Sequence, residues 1–153
     1  MNKKKTMLLI LLVVIVTMFI FSNSFMNSKE SNATSGVIVE LVRPLVEFIA
    51  GSDADVNFIV RKGAHLTEFF ALGFLVLLAV FEIKKEFLGF GFFYVLFVGV
   101  TDEFIQSFSD RTSSVSDVLI DFSGAMLGFA ACGILSLCIR KFKQMLIVKK
   151  NKR

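Results

Sequence analysis

The sequence has no Trp, a single Pro, a single His and only two Cys in 153 residues. Two cysteines exclude a disulfide-built scaffold, and one proline among ten glycines excludes a collagen-like repeat. Apolar residues are not scarce, as they would be in a disordered chain: 55% of the chain is hydrophobic, and 19 residues are Phe. A mean hydropathy of +0.73 is too apolar for a soluble domain of this length, because a small domain must cover a large surface with polar groups. The composition points to an all-α, multi-pass transmembrane helical bundle.

Four apolar stretches, residues 7–22, 65–81, 87–100 and 118–139, stand against the roughly 17 to 25 residues that a spanning helix requires. Residues 1–24 read as an N-terminal membrane anchor behind Lys3, Lys4 and Lys5. Because this segment ends in Ser22, Asn23 and Ser24, a cleaved signal peptide is the alternative. Basic residues collect on cytoplasmic loops, which sets the orientation. With both termini cytoplasmic, twelve Lys and Arg lie inside, and five (Lys29, Arg43, Arg61, Lys62 and Arg111) lie outside. The formal charge of +4 then resolves into +10 inside, where Glu82 and Glu86 are the acids, and −6 outside, with eleven acids. Such an asymmetry belongs to membrane orientation and speaks against nucleic acid as a partner.

Residues 25–60 form the outer loop in this reading. Within it, residues 37–50 carry Glu40, Arg43 and Glu47 at helical spacing on an otherwise apolar segment. The segment is too short and too charged to span; it reads as an interfacial helix or one covering the bundle, kinked or restarted at Pro44. Ser52 and Asp55 form a capping pattern that starts the next helix near Asp53. Residues 61–139 make the membrane domain, and residues 140–153 a basic cytoplasmic tail. Cys132 and Cys138 are six residues apart on one helix and cannot bridge; both read as small buried residues. No Cys/His spacing suggests zinc, and no metal or cofactor is expected.

Ionisable residues inside spans cost about 2.5–3.5 kcal/mol each at the helix centre, so their placement is informative. Arg61, His65 and Glu68 share one face of the second span, with Lys62 one turn before His65. Asp102, Glu103 and Gln106 close the third span, and only one of the two adjacent acids can share a face fully with Gln106. Asp117 and Asp121 open the fourth, on a stripe continued by Gly124, Gly128 and Cys132 that lets helices approach closely. The topology brings all of these to one depth near the outer surface. Taken singly, each has a plainer role: Asp117 as a helix N-cap, Glu68 as a partner of Arg61 or Lys62, Asp121 as an interhelical hydrogen-bond partner, His65 as an interfacial residue.

At His65 and again from Asp102 to Gly128 the chain resembles the VanZ-like family of bacterial membrane proteins. The first motif is a basic residue three before a His that opens an apolar helix, here Lys62 and His65. The second matches Glu103 and Gln106, then Arg111, Ser114, Asp117, Asp121, Gly124 and Gly128. Asp121 stands where the family usually has Asn, Arg61 where an acid often precedes the Lys, and Asp110 where a Gly commonly precedes the Arg. The resemblance implies a multi-pass protein of the bacterial cell envelope with a link to glycopeptide tolerance of the teicoplanin type.

Two functions follow as expectations. One is a binding protein without enzymatic activity, whose outer-leaflet pocket of Lys62, His65, Glu103, Gln106, Arg111, Asp117 and Asp121 takes an anionic envelope component. A lipid-linked cell-wall precursor or a lipoglycopeptide has the right chemistry. The other is a hydrolase or transferase acting on a lipid head group, with His65, Glu103, Asp117 and Asp121 as candidate catalytic residues. Transport fits less well, since the acids gather at one interface and leave the midplane apolar.

Overall fold

The computed structural model describes residues 3–25, 28–108 and 114–151. They form five helices: α1 (Lys3–Ser24), α2 (Ser28–Ala50), α3 (Val56–Ile83), α4 (Leu88–Gln106) and α5 (Val115–Asn151). A single 3₁₀ turn, Lys85–Phe87, joins α3 to α4. Four helices, all but α2, are long and apolar enough to cross a membrane. The fold is the all-α membrane bundle that the composition requires.

The helix ends have identifiable causes. Gly51 stops α2: its φ of +91° is a left-handed conformation that glycine adopts without strain, and its N–H bonds the Glu47 carbonyl at 3.0 Å. Asp55, not Ser52, caps α3, accepting the Phe58 N–H at 3.0 Å, so the helix begins at Val56 and not near Asp53. The amphipathic segment is longer than residues 37–50. It starts at Ser28, and Pro44 lies within the helix without ending it. Arg43 pairs with Glu40 at 3.4 Å and Glu47 at 3.7 Å, as their spacing implies. Val39 is buried, whereas Leu41, Phe48 and Ile49 are exposed, leaving an apolar flank for lipid. α5 also outruns its apolar stretch: its 37 residues continue through Arg140, Lys141 and Lys143. At 1.5 Å per residue it is about 55 Å long, well beyond a hydrocarbon core of about 30 Å.

α3 is the centre of the bundle. Phe69, Leu72, Val76 and Val80 from α3 form the core with Val95 and Val98 of α4, Ala125, Phe129 and Cys132 of α5, and Ile20 of α1. In lipid, burying apolar surface between helices gains little over burying it in acyl chains, so close van der Waals contact decides which faces meet. The α3–α5 seam shows this. A Cβ at Gly124 would overlap the Leu66 carbonyl, one at Gly128 the Phe70 carbonyl, and one at Gly73 the Ala125 carbonyl. Cys132 is buried in this seam, but Cys138 is exposed, contrary to the expectation that both are buried.

Helix direction alternates along α1, α3, α4 and α5, so the C-termini of α1 and α4 meet the N-termini of α3 and α5. The contacts confirm the pairing: Asn23 bonds Glu68 at one end of the bundle, and Lys5 pairs with Glu82 at 2.6 Å at the other.

Candidate functional site

The first of these ends gathers the polar residues. His65 faces inward from α3, with Nδ1 3.2 Å from Asp121 Oδ1 and 3.6 Å from Asp102 Oδ2. Asp102 and Asp121 are fully buried, and His65 is 9% exposed. The small stripe of α5 explains the placement of Asp121. Gly124 and Gly128 hold the α5 backbone against α3, which sets the carboxylate one turn earlier against His65.

The carboxylates differ in what they receive. Asp102 accepts the Ser24 hydroxyl on Oδ1 and the Gln106 amide on Oδ2 at 2.7 Å. Glu68 accepts Asn23 Nδ2 at 2.8 Å. Glu103 turns away from its neighbour and accepts the Ser114 N–H at 2.8 Å on Oε2, while its buried Oε1 has no partner. Asp117 pairs with Lys62, whose ammonium also stands 5.0 Å over the Phe58 ring. Asp121 receives no hydrogen bond on either oxygen. Against its lost hydration this buried carboxylate has only the His65 imidazole, 3.2 Å away, and no hydrogen-bond donor, an arrangement structures rarely keep without reason.

Most of the expected residues converge: Lys62, His65, Glu103, Gln106, Asp117 and Asp121 all lie at this end. Arg111 lies outside the described residues. Three readings are corrected. Of the two adjacent acids it is Asp102 that shares the inner face with Gln106 and meets His65; the expected site had named Glu103 and omitted Asp102. Glu68 pairs with Asn23, and neither Arg61 nor Lys62 bonds it. Asp117 is not the N-cap: the Ser114 hydroxyl accepts the Ser116 N–H at 3.2 Å, which leaves Asp117 for Lys62. Asn23 and Ser24 went unnoticed because their polarity at a span's end also fits a cleavage site. In the folded chain α1 joins the core through Ile20 and Tyr94 through the Thr17 hydroxyl at 2.8 Å, so that it forms a wall beside these residues.

Absence of metal ligands was inferred from spacing along one helix. In space, one donor atom each from His65, Asp102 and Asp121 lies within 4.8 Å of the others, contributed by three different helices.

Residues 8–136 match the sequence profile of VanZ/LLP1. The chain belongs to the VanZ/LLP1 family. No curated protein and no solved structure matches it. The VanZ/LLP1 match takes in Ser24, His65, Asp102 and Asp121 together, so the helix that a motif comparison over residues 61–139 leaves out is part of the family unit. Family and fold together make this a multi-pass membrane protein of the VanZ/LLP1 type, with a lipid bilayer as its surroundings.

Proposed function

We propose that this protein binds the anionic head group of an envelope lipid or lipid-bearing compound at the outer leaflet, and through that binding influences tolerance to glycopeptide antibiotics. The observation that carries the reading is Arg61. Its Nε is shielded from solvent and, among the described residues, no group pairs with it. On the same stretch of α3, a cleft of about 540 Å³ opens between α2 and α3, lined by Ile38, Val42, Val46, Val60 and Thr67, with Glu68, which Asn23 holds, as its one acid. An unpaired guanidinium on the helix that also forms one wall of an apolar cleft suits an anionic head with an acyl or prenyl tail, because the planar fork bonds phosphate or carboxylate bidentately. Lys62 supplies a second positive charge, held in place by Asp117.

A lipid-linked cell-wall precursor and a lipoglycopeptide share this chemistry. The distribution of basic residues supports an outward-facing site in a bacterial cell membrane, with both termini in the cytoplasm. Native mass spectrometry of the purified protein tests the reading. A co-bound anionic lipid species should be seen in the wild type and be lost in Arg61→Gln; retention in that variant sinks the proposal.

His65 beside the undonated Asp121 favours a second reading, a hydrolase or transferase acting on the same kind of head group. Turnover of a lipid-linked phosphate that vanishes in His65→Ala would decide for it.

A further inference from the structure

Asp121 is fully buried, and neither of its oxygens receives a hydrogen bond, although Glu68, Asp102, Glu103 and Asp117 each have a donor. This end of the bundle thus holds five carboxylates against Lys62, Arg61 and one imidazole. Ordinary ion pairing does not settle that excess at Asp121, because His65 Nδ1 carries at most one proton and faces two carboxylates, at 3.2 and 3.6 Å.

We propose that His65, Asp102 and Asp121 bind one divalent transition-metal ion, zinc or manganese. The donor set is one imidazole nitrogen and two carboxylate oxygens. That mix suits zinc, a borderline ion, and is also open to manganese, which is harder but takes imidazole beside carboxylates; calcium and magnesium prefer oxygen alone. The donor separations of 3.2 and 3.6 Å bracket the edge of a tetrahedron with metal–ligand bonds of about 2.0–2.1 Å, which is about 3.4 Å. The surroundings are those of a ligand set held in place from behind. Asp102 is oriented by Ser24 and by Gln106 at 2.7 Å. Glycines hold the α3 and α5 backbones in contact, which fixes His65 against Asp121. Three protein ligands leave a coordination position for water or for an oxygen of a bound molecule. The ion answers the carboxylate that receives no hydrogen bond, Asp121, and it stands independently of the head-group reading at Arg61.

The test uses the full chain in detergent, stripped with a chelator, loaded with Zn²⁺ or Mn²⁺ alone, passed through gel filtration and assayed for metal content. The wild type should retain about one equivalent of one of the two ions and melt at a higher temperature with it than without. Asp121→Asn, which keeps the side-chain shape, and His65→Gln should each weaken retention by about tenfold or more and abolish the thermal shift, with unchanged elution profiles. Glu47→Gln, on the exposed face of α2, should behave as the wild type. The proposal is overturned if the folded wild type keeps less than about a tenth of an equivalent of either ion. It is equally overturned if both Asp121→Asn and His65→Gln retain the metal and the thermal shift. Lipid binding through Arg61 is read separately by native mass spectrometry and decides nothing about the ion.

Discussion

Where α1 ends and α5 begins, His65, Asp102, Glu103, Asp117 and Asp121 are withdrawn from the surface; at the opposite end of the bundle Lys84, Lys85 and Glu86 are exposed. Both ends carry many charges, but in different circumstances. The exposed end shows one well-formed cross-helix ion pair, Lys5 with Glu82, and beside it an apolar groove lined by Ile10, Val13, Val76, Val80, Phe90 and Tyr94. Charges there need no partner because water or lipid head groups solvate them. Charges at the buried end need donors, and the structure supplies Ser24, Asn23, Gln106, Ser114 and Lys62 to every carboxylate except Asp121. The contrast singles out Asp121, whose burial the packing and hydrogen bonds of the fold do not by themselves account for.

The largest effect should come from breaking the scaffold that makes the buried end possible. Gly128→Leu sets side-chain atoms on the Phe70 carbonyl and the Phe74 N–H, and should cost about 3 kcal/mol or more, read as loss of the monodisperse gel-filtration peak on heating. The same change at Gly133, which faces open space, should be tolerated.

Next comes a pair of matched substitutions within the site. Asp102→Asn loses the charge that Ser24 and Gln106 are arranged to solvate and should destabilise the metal-free protein by about 1–3 kcal/mol. Asp121→Asn removes a charge that no donor supports, and should leave metal-free stability unchanged or raise it by about 1 kcal/mol. Equal losses at the two positions would erase the distinction between a solvated and an unsolvated carboxylate.

A smaller effect is expected at the contact between α1 and the site. Asn23→Ala leaves Glu68 Oε1 without its amide donor and should cost about 1 kcal/mol, measured as a shift in the thermal midpoint. The smallest change should be at the exposed end. Lys5→Ala removes an ion pair whose Lys side chain is 59% exposed, and should alter stability by less than about 0.5 kcal/mol. A loss there as large as at Asn23 would show that the two ends are not so different.

Much of this arrangement is legible from particular residues. Four apolar stretches and alternating helix direction place Lys62, His65, Gln106, Asp117 and Asp121 at one end, and the spacing of Gly124 and Gly128 aims Asp121 inward. Spacing could not choose between Asp102 and Glu103, which differ by about 100° around α4. The rotation of α4 against α3 and α5 makes that choice, and it depends on Val95 and Val98 facing the core and on Gly99 packing against Phe69. Nor could spacing assign Asn23 and Ser24 to the site, because their partners lie 45 and 78 residues away in the chain.

The sequence alone determined that this chain is a membrane bundle of four spanning helices, with His65, Gln106, Asp117 and Asp121 gathered at one end, because hydropathy and helical period act locally and lipid admits little else. Only the tertiary structure decided which carboxylates are solvated by donors and which one is not. That depends on the distances between side chains on different helices, and those distances are set by the rotation at which glycine-lined faces lock together.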